Sequence, residues 1–291
     1  MRRPLVLALA AACAGALPAR AQAPSSPVLD RPATYWAVNV GAALASAWLQ
    51  SLGTRLNLPR VLAAGAVGGS LVYAGQRVVG GHDIRMRLAG LELAAVGASM
   101  TGNIARGQAP LAELTLPLFP LYLRVSTSPR LSLRVRLSAL AVVSTLRLAG
   151  TYGRVPDLGQ SLVSGAAVIP VERESLCCRE SDGVSCVAEV TGQHLFGAVA
   201  YATRGEACLC HEFGHVVQDI REAVLFAVPA SDYALAHTGA PGRWLGKYLV
   251  VEGALPLMLL NATVGERTLA CASGSFYECE VNRLTRPRPV H

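Results

Sequence analysis

Five consecutive residues, His211-Glu212-Phe213-Gly214-His215, have the composition and spacing of a zinc site. Two histidines four residues apart share one face of a helix, so both imidazole rings can reach the same metal ion. Glu212 lies beside the coordination position that remains open, where its carboxylate can take a proton from water activated by the metal. The pattern predicts a mononuclear zinc centre with His211 and His215 as ligands and Glu212 as general base.

The flanking sequence suits the helix that this geometry requires. No proline occurs from Thr203 to Ala227, and Pro229 is expected to end the helix. Asp219 is one turn beyond His215, and helical side chains lean toward the N-terminus. We therefore expect the Asp219 carboxylate to accept the second ring N–H of His215 and to fix its tautomer.

A catalytic zinc ion usually has three protein ligands, and Glu252 is the first candidate for the third. It lies within the apolar run Leu245–Leu260, where an unpaired carboxylate would be costly to desolvate. A metal ion would remove that cost, and an ion pair with Lys247 or an arginine would do the same. His237, in a segment rich in glycine, proline and serine, is the second candidate for the ligand.

The motif resembles that of zinc-dependent metallopeptidases of the zincin type, over the stretch from His211 to Glu252. Glu252 would match the glutamate ligand that the gluzincin branch carries on a following helix. The metzincin pattern does not fit, because no histidine follows six residues after His215. The Leu-Asp-Gly of site-2 proteases is missing as well. The continuation His-Val-Val-Gln-Asp is similar to bacterial envelope proteins with an H-E-x-x-H-x-x-Q helix.

This resemblance implies a zinc-dependent hydrolase that acts on peptide bonds, with a peptide or protein as its substrate. A hypothesis from a different class stays open beside it. The chain would then be a non-catalytic envelope structural or binding protein, in which the motif is vestigial or holds a structural ion.

The first 21 residues have the three parts of a secretory signal peptide. Arg2 and Arg3 form the basic start, Leu5–Leu17 the apolar stretch, and Ala19–Ala21 the small-x-small cleavage site. Cleavage there is favoured over lipoprotein processing at Cys13. The pattern predicts export to the periplasm or the cell-envelope membrane. Removal of three arginines and no acid lowers the formal charge from +7 to +4.

That residual charge does not indicate a nucleic-acid partner. Lys247 is the single lysine among 26 basic residues, and no basic stripe interleaved with aromatic residues occurs. We expect no nucleic-acid binding.

Seven cysteines follow the expected cleavage site, and an oxidising compartment would favour disulfides between them. Pairing of Cys271 with Cys279, and of Cys177 or Cys178 with Cys186, is expected. The odd number leaves one thiol over. The seven are Cys177, Cys178, Cys186, Cys208, Cys210, Cys271 and Cys279.

The region 22–110 is apolar and rich in alanine and glycine. Pro32–Thr54 and Val61–Gln76 contain no charged residue, and Leu88–Ala105 contains only Glu92. Pairs of small residues four apart, such as Gly41 and Ala45, favour close helix packing. The segments are expected to be helices associated with a membrane, either as spans or as a tightly packed bundle.

The region 111–202 is expected to be mainly β. Leu121–Val125, a turn, and the alternating Leu131–Leu137 predict a hairpin. Further strands are expected at Leu140–Leu148 and Leu162–Ile169, and the arginines between the apolar residues are expected on a solvated face. A strand near Leu195–Ala202 is expected at a sheet edge, where a peptide can bind by strand addition.

These regions together predict an α+β fold. A signal peptide (1–21) precedes the apolar helical region (22–110), the central antiparallel β section (111–202) and a metal-site region (203–291). The last region is expected to contain the HExxH helix, an apolar helix around Glu252 and a basic tail.

Overall fold

The computed structural model describes residues 32–51, 57–79, 84–118, 120–171, 192–195, 198–202 and 215–251. These residues form both helices and sheets, which confirms the expected α+β class at that level. The expected signal peptide and all the cysteines lie outside the described residues. Of the apolar run Leu245–Leu260, in which a helix around Glu252 is expected, residues 246–251 are described and contain a turn and the short strand Leu249–Val250 instead of helix, and the rest lies outside the described residues.

Three long helices form the N-terminal part: α1 (Pro32–Ser51), α2 (Leu58–Val79) and α3 (Ile84–Ala105). Helices α2 and α3 cross at very short range because glycines face each other. A Cβ atom on Gly75 would lie 2.5 Å from the carbonyl oxygen of Gly90, and one on Gly90 would lie 2.7 Å from that of Gly75. The small residues therefore set the helix separation, as the sequence predicts.

The expectation that these segments span a membrane receives no support. Within the described part of the chain, no helix combines the length and the apolarity needed to cross a bilayer.

The first sheet has the strand order β1-β2-β3-β7. Strands β1 (Glu113–Leu118), β2 (Leu121–Ser126) and β3 (Ser132–Ser138) are antiparallel, and β7 (Leu249–Val250) runs parallel to the end of β3. The predicted hairpin is confirmed as β2 and β3.

The strand predicted at Leu140–Leu148 is wrong, because this segment belongs to helix α4 (Ala139–Tyr152). The Ser138 side chain caps the helix by accepting from the backbone N–H of Ala141, and Gly153 ends it in the left-handed conformation. The periodicity of two stops at Ser138, and the alanines and leucines that follow favour helix.

The strand predicted at Leu162–Ile169 is partly wrong for a related reason. Helix α5 (Leu158–Ser164) is capped by the Asp157 side chain and ends at Gly165, also left-handed. Strand β4 (Ala167–Val171) begins only after that glycine.

A second sheet has the order β4-β6-β5. The segment expected as one edge strand near Leu195–Ala202 is divided into β5 (Gly192–Leu195) and β6 (Ala198–Ala202). Strand β6 pairs with β4 on one side and β5 on the other, so it is central. The expected edge strand is therefore wrong for β6.

One continuous helical run covers residues 215–237, beyond the predicted stop. It consists of α6 (215–222), a π-helical turn (Ala223–Ala227) and α7 (Val228–His237), and it is followed by α8 (Gly239–Leu245). Pro229 lies near the start of α7 and does not end the run.

A wider turn and one side chain explain why Pro229 is tolerated. Proline has no N–H to donate to the carbonyl four residues earlier, and its ring clashes with that carbonyl in a regular helix. The backbone N–H of Val228 instead bonds to the carbonyl of Ala223, five residues back. The carbonyl of Leu225, the one that Pro229 cannot serve, accepts from the buried hydroxyl of Ser46 on α1 at 2.6 Å.

The helical run is central to the main hydrophobic core. Its apolar side chains pack with residues of α1, α2 and α3, with Tyr122 and Val250 of the first sheet and with Val168 of the second. The run contributes Val216, Val217, Ile220, Ala223, Val224, Leu225 and Val228.

The first sheet turns its polar face inward. Thr115, Tyr122 and Arg136 are buried, whereas Leu133, Val135 and Leu137 on the other face of β3 are exposed. The expected solvated face for the arginines is therefore wrong for Arg136, although Arg134 is exposed. The physical reason is an acidic partner on α7, as shown below.

Substituting Gly75 with alanine should destabilise the fold by about 1–3 kcal/mol, because the new Cβ would force α2 away from the α3 backbone. Gly41→Ala is the control, since nothing lies within 4 Å of a Cβ there. It should stabilise helix α1 by about 0.5–1 kcal/mol. Urea denaturation measures both, and equal effects would contradict the close contact between α2 and α3.

The carboxyl group of Glu92 on α3 makes stability depend on pH. Its Oε2 atom is buried without a hydrogen-bond partner among the described residues, and burial raises its pKa from 4.5 to about 7. The unfolded chain therefore ionises at lower pH than the folded chain does. Stability contributed by the neutral group is present below the ordinary pKa and is lost as pH rises toward 7.

Glu92→Gln should therefore stabilise the protein by about 2–3 kcal/mol at about pH 8 and have little effect at about pH 4. Denaturation at the two pH values measures the difference. Glu113→Gln is the control of opposite sign, since arginines hold the pKa of Glu113 below its ordinary value. That variant should be destabilised near neutral pH. A Glu92→Gln effect independent of pH would refute the assignment.

Candidate metal centre

His215 is the first described residue of the helical run, and it is the second histidine of the HExxH motif. Its ring is half-buried, and Nδ1 lies 2.9 Å from Oε1 of Gln218, one turn along the helix. Because an amide oxygen only accepts hydrogen bonds, this contact favours the tautomer with the proton on Nδ1. In the neutral ring, Nε2 is then the nitrogen with the lone pair, which is the state that binds a metal ion.

Gln218 is thus one partner of the His215 ring, and it is the residue next to Asp219, which the sequence suggested for that role. Asp219 is buried on the same helix, and its predicted role beside the metal ligands stays a prediction. The sequence could have indicated Gln218 as a partner of His215, since residues three apart are neighbours on a helix. A carboxylate was favoured over an amide because histidine ligands are often held by carboxylates.

Beyond His215, the helix carries a row of buried polar side chains into the core. The Arg221 guanidinium donates to Glu222 at 3.1 Å and to the side-chain oxygen of Asn39 on α1 at 3.3 Å. Asn39 donates in turn to Gln76 on α2 at 2.8 Å. These bonds fix the rotation of the helix about its own axis, because any other rotation would bury the charges without partners.

An arginine–carboxylate network holds the other end of the run against the first sheet. Arg124 on β2 donates to Asp232 on α7 and to Glu113 on β1, both at 2.7 Å. Arg136 on β3 reaches the second Asp232 oxygen at 2.8 Å and the carbonyl of Leu249 at 3.0 Å. Asp232 is therefore the partner that allows the sheet to bury Arg136.

Two effects set the pKa values of Glu113 and Arg124 in this network: burial, and the charges of their ion-pair partners. Burial pushes the pKa of Glu113 upward, but the hydrogen bond and charge of Arg124, helped by Arg106, hold it below the ordinary value. Burial lowers the pKa of Arg124, and its two carboxylate partners outweigh that effect and raise it. Glu113 and Arg124 therefore both stay charged near neutral pH.

His237, the alternative third ligand, is remote from His215. The two residues lie at opposite ends of the helical run, roughly 30 Å apart at about 1.5 Å per residue. His237 is exposed, and its Nδ1 lies 2.6 Å from the carbonyl oxygen of Tyr233. It cannot share a metal ion with His215.

The other predicted site residues, His211, Glu212 and Glu252, lie outside the described residues. Among those the structure does describe, no three histidine, cysteine or acidic side chains cluster closely enough to hold a metal ion. The described chain stops at Val251, directly before Glu252.

Two cavities lie near the arginine–carboxylate network, away from His215. One of about 40 Å³ is bordered by Arg106, Arg124 and Asp232, and another of about 150 Å³ is bordered by Gln108 and Ser128. The smaller has room for little more than water. Neither has His215 in its lining.

Comparison with known proteins assigns no relative. No protein-family model matches the chain, and neither a curated protein sequence nor a solved structure is significantly similar to it.

Proposed function

We propose that the chain is a zinc-dependent hydrolase that cleaves peptide bonds, as the HExxH motif implies. His211, His215 and Glu252 would hold the metal, and Glu212 would act as general base. The proposal includes a periplasmic or cell-envelope location. Its main support is the contact between Nδ1 of His215 and Oε1 of Gln218.

That support is chemical. A zinc ligand must present an unprotonated ring nitrogen, and an acceptor at the opposite nitrogen is what selects the tautomer. Gln218 supplies such an acceptor to Nδ1. Two histidines and a carboxylate are also a ligand set that zinc favours in hydrolases. The donor type and tautomer of His215 therefore fit zinc.

The scaffold around His215 supports the proposal independently. Catalytic groups must be held within a fraction of an ångström, and sites on packed helices achieve this better than sites on loops. Val216, Val217 and Ile220 are buried directly after His215, and Arg221 ties the same helix to Asn39. A half-buried histidine on such a helix is well placed as a fixed ligand.

A zinc ion bound here would supply a Lewis acid that polarises the scissile carbonyl and lowers the pKa of water. The Glu212 carboxylate would accept the proton from the attacking water and pass it to the nitrogen of the leaving amine. Gln218 would keep the proton of His215 on Nδ1 throughout.

Replacing His215 with alanine should lower zinc affinity by more than about a hundredfold, because loss of outer partners alone costs tenfold to a hundredfold. His237→Ala is the matched control and should keep the parental zinc content. Elemental analysis after dialysis against a weak chelator measures both variants. A parent protein that folds fully without zinc would favour the structural or binding alternative.

Glu212→Gln should bind zinc as the parent does but lose about 10²- to 10⁴-fold in turnover, since general-base catalysis contributes that much. Release of new amino termini from a peptide library measures the rate. A variant that keeps its zinc and cleaves as fast as the parent would remove Glu212 from this role.

A further inference from the structure

One face of the first sheet carries only leucine and valine across its paired strands. Residues directly opposite in adjacent strands point to the same side of a sheet, so the registers place these side chains together. We define the apolar sheet face as Leu114, Leu116, Leu118, Leu121, Leu123, Val125, Leu133, Val135, Leu137 and Leu249.

This face is most open along β3. Leu131, just before the strand, is 80% exposed, and Leu133 and Val135 are 64% and 49% exposed. The β1 and β2 members are half-buried, and Leu116 packs against the core. Contiguous apolar side chains in solvent are unusual on a folded protein and mark a surface that meets another apolar phase.

The reason for this arrangement lies on the opposite face. Arg136 and Arg124 point inward to Asp232, so the alternation of the strand leaves leucine and valine outside. The ion pairs therefore keep the apolar sheet face exposed. A shift of one residue in the strand register would break these ion pairs.

Aromatic and basic side chains border the apolar sheet face at the β7 end. The backbone N–H of Leu137 donates to the carbonyl of Tyr248 at 2.7 Å. The exposed rings of Tyr248 and Trp244 lie 5.3 Å apart, and Arg243 and Lys247 beside them are exposed. Tryptophan, tyrosine and long basic side chains are enriched where protein meets the headgroup layer of a bilayer.

The other end of β3 is also basic. Arg130 in the β2–β3 turn is exposed there; Arg134 on β3 is exposed as well, but its side chain points to the opposite face of the sheet, beside Arg124. Across the described residues, every carboxylate is buried or half-buried, whereas eight basic side chains are exposed. These are Arg60, Arg106, Arg130, Arg134, Arg147, Arg154, Arg243 and Lys247.

We propose that the apolar sheet face docks on the surface of a phospholipid bilayer with anionic headgroups. Leu131, Leu133 and Val135 enter the boundary of the acyl chains, and Arg130, Arg243 and Lys247 contact phosphate groups. This proposal does not rest on the hydrolase activity.

A second copy of the chain fits the same face less well. Pairing of two β3 edges would bring Arg130 and Arg134 of both copies together with no exposed carboxylate among the described residues to neutralise them. Like charges in adjacent strands oppose pairing, and charged edge residues are a common protection against it.

Sedimentation with vesicles tests the docking. Phosphatidylcholine vesicles with about one third phosphatidylglycerol should bind the parent chain, and pure phosphatidylcholine should bind it more weakly. Leu133→Thr with Val135→Thr should weaken binding about tenfold, since apolar area is lost while strand propensity is kept. The full chain is used throughout, so other segments contribute equally.

Two further variants test whether vesicle binding depends on the apolar sheet face and on its basic border. Leu58→Gln with Leu62→Gln removes two exposed apolar side chains from α2 and should change binding by less than about twofold. Arg130→Gln with Lys247→Gln should weaken binding several-fold to the anionic vesicles alone. Equal losses in the α2 and β3 variants, or no binding by the parent, would overturn the proposal.

Two further measurements keep the test decisive if a β3 variant misfolds. Lipids with brominated acyl chains should quench the fluorescence of Trp244, so Trp244→Phe should remove more quenching than Trp36→Phe on α1. Light scattering without lipid measures the oligomeric state, and so tests whether a second copy of the chain covers the face. The parent chain could form a dimer that becomes a monomer in the β3 variant, and bind no lipid. The partner of the apolar sheet face would then be a second copy of the chain and not a bilayer.

Discussion

The structure depends on one constraint: a helix that crosses the core carries charged and polar side chains, and each requires a partner. Arg221 and Glu222 form a buried ion pair, and Asn39 on α1 completes the coordination of the guanidinium. A buried charge without such partners would cost several kcal/mol. Because the partners lie on specific turns of α1 and α2, the helix has one rotation and one depth. His215 takes its position from that placement.

The same demand shapes the other end of the helix and, through it, the first sheet. Asp232 on α7 accepts from Arg124 and Arg136, so these arginines point inward and the sheet is polar on its buried side. Leucine and valine then face outward. The core helix and the apolar sheet face are thus connected by a chain of ion pairs, although they are far apart in sequence.

Sequence patterns predicted those helices and strands that depend on residues close together in the chain. The β2–β3 hairpin follows from strict alternation around a turn. Close helix packing at small residues was predicted as a type of contact but not by position, since Gly41 has no neighbour within 4 Å of a Cβ atom and the close crossing of α2 and α3 uses Gly75 and Gly90. The prediction failed at Leu140–Leu148, where apolar residues fit either period and the Ser138 cap decided for helix. It failed at Pro229 because the wider turn and the hydroxyl of Ser46, 179 residues away, compensate for the missing N–H.

The sequence by itself supplied the prediction of a metal site, since helical spacing predicts that two imidazoles and a carboxylate lie close together. It could not identify which residue holds the ring of His215, because Gln218 and Asp219 are both within reach along the helix. Tertiary structure also excluded His237, which a continuous helix carries far from His215. Tertiary structure also decided which face of the sheet is buried. Alternation along a strand divides its side chains between two faces but does not say which face packs inward, and here Asp232 lies on the side of the arginines.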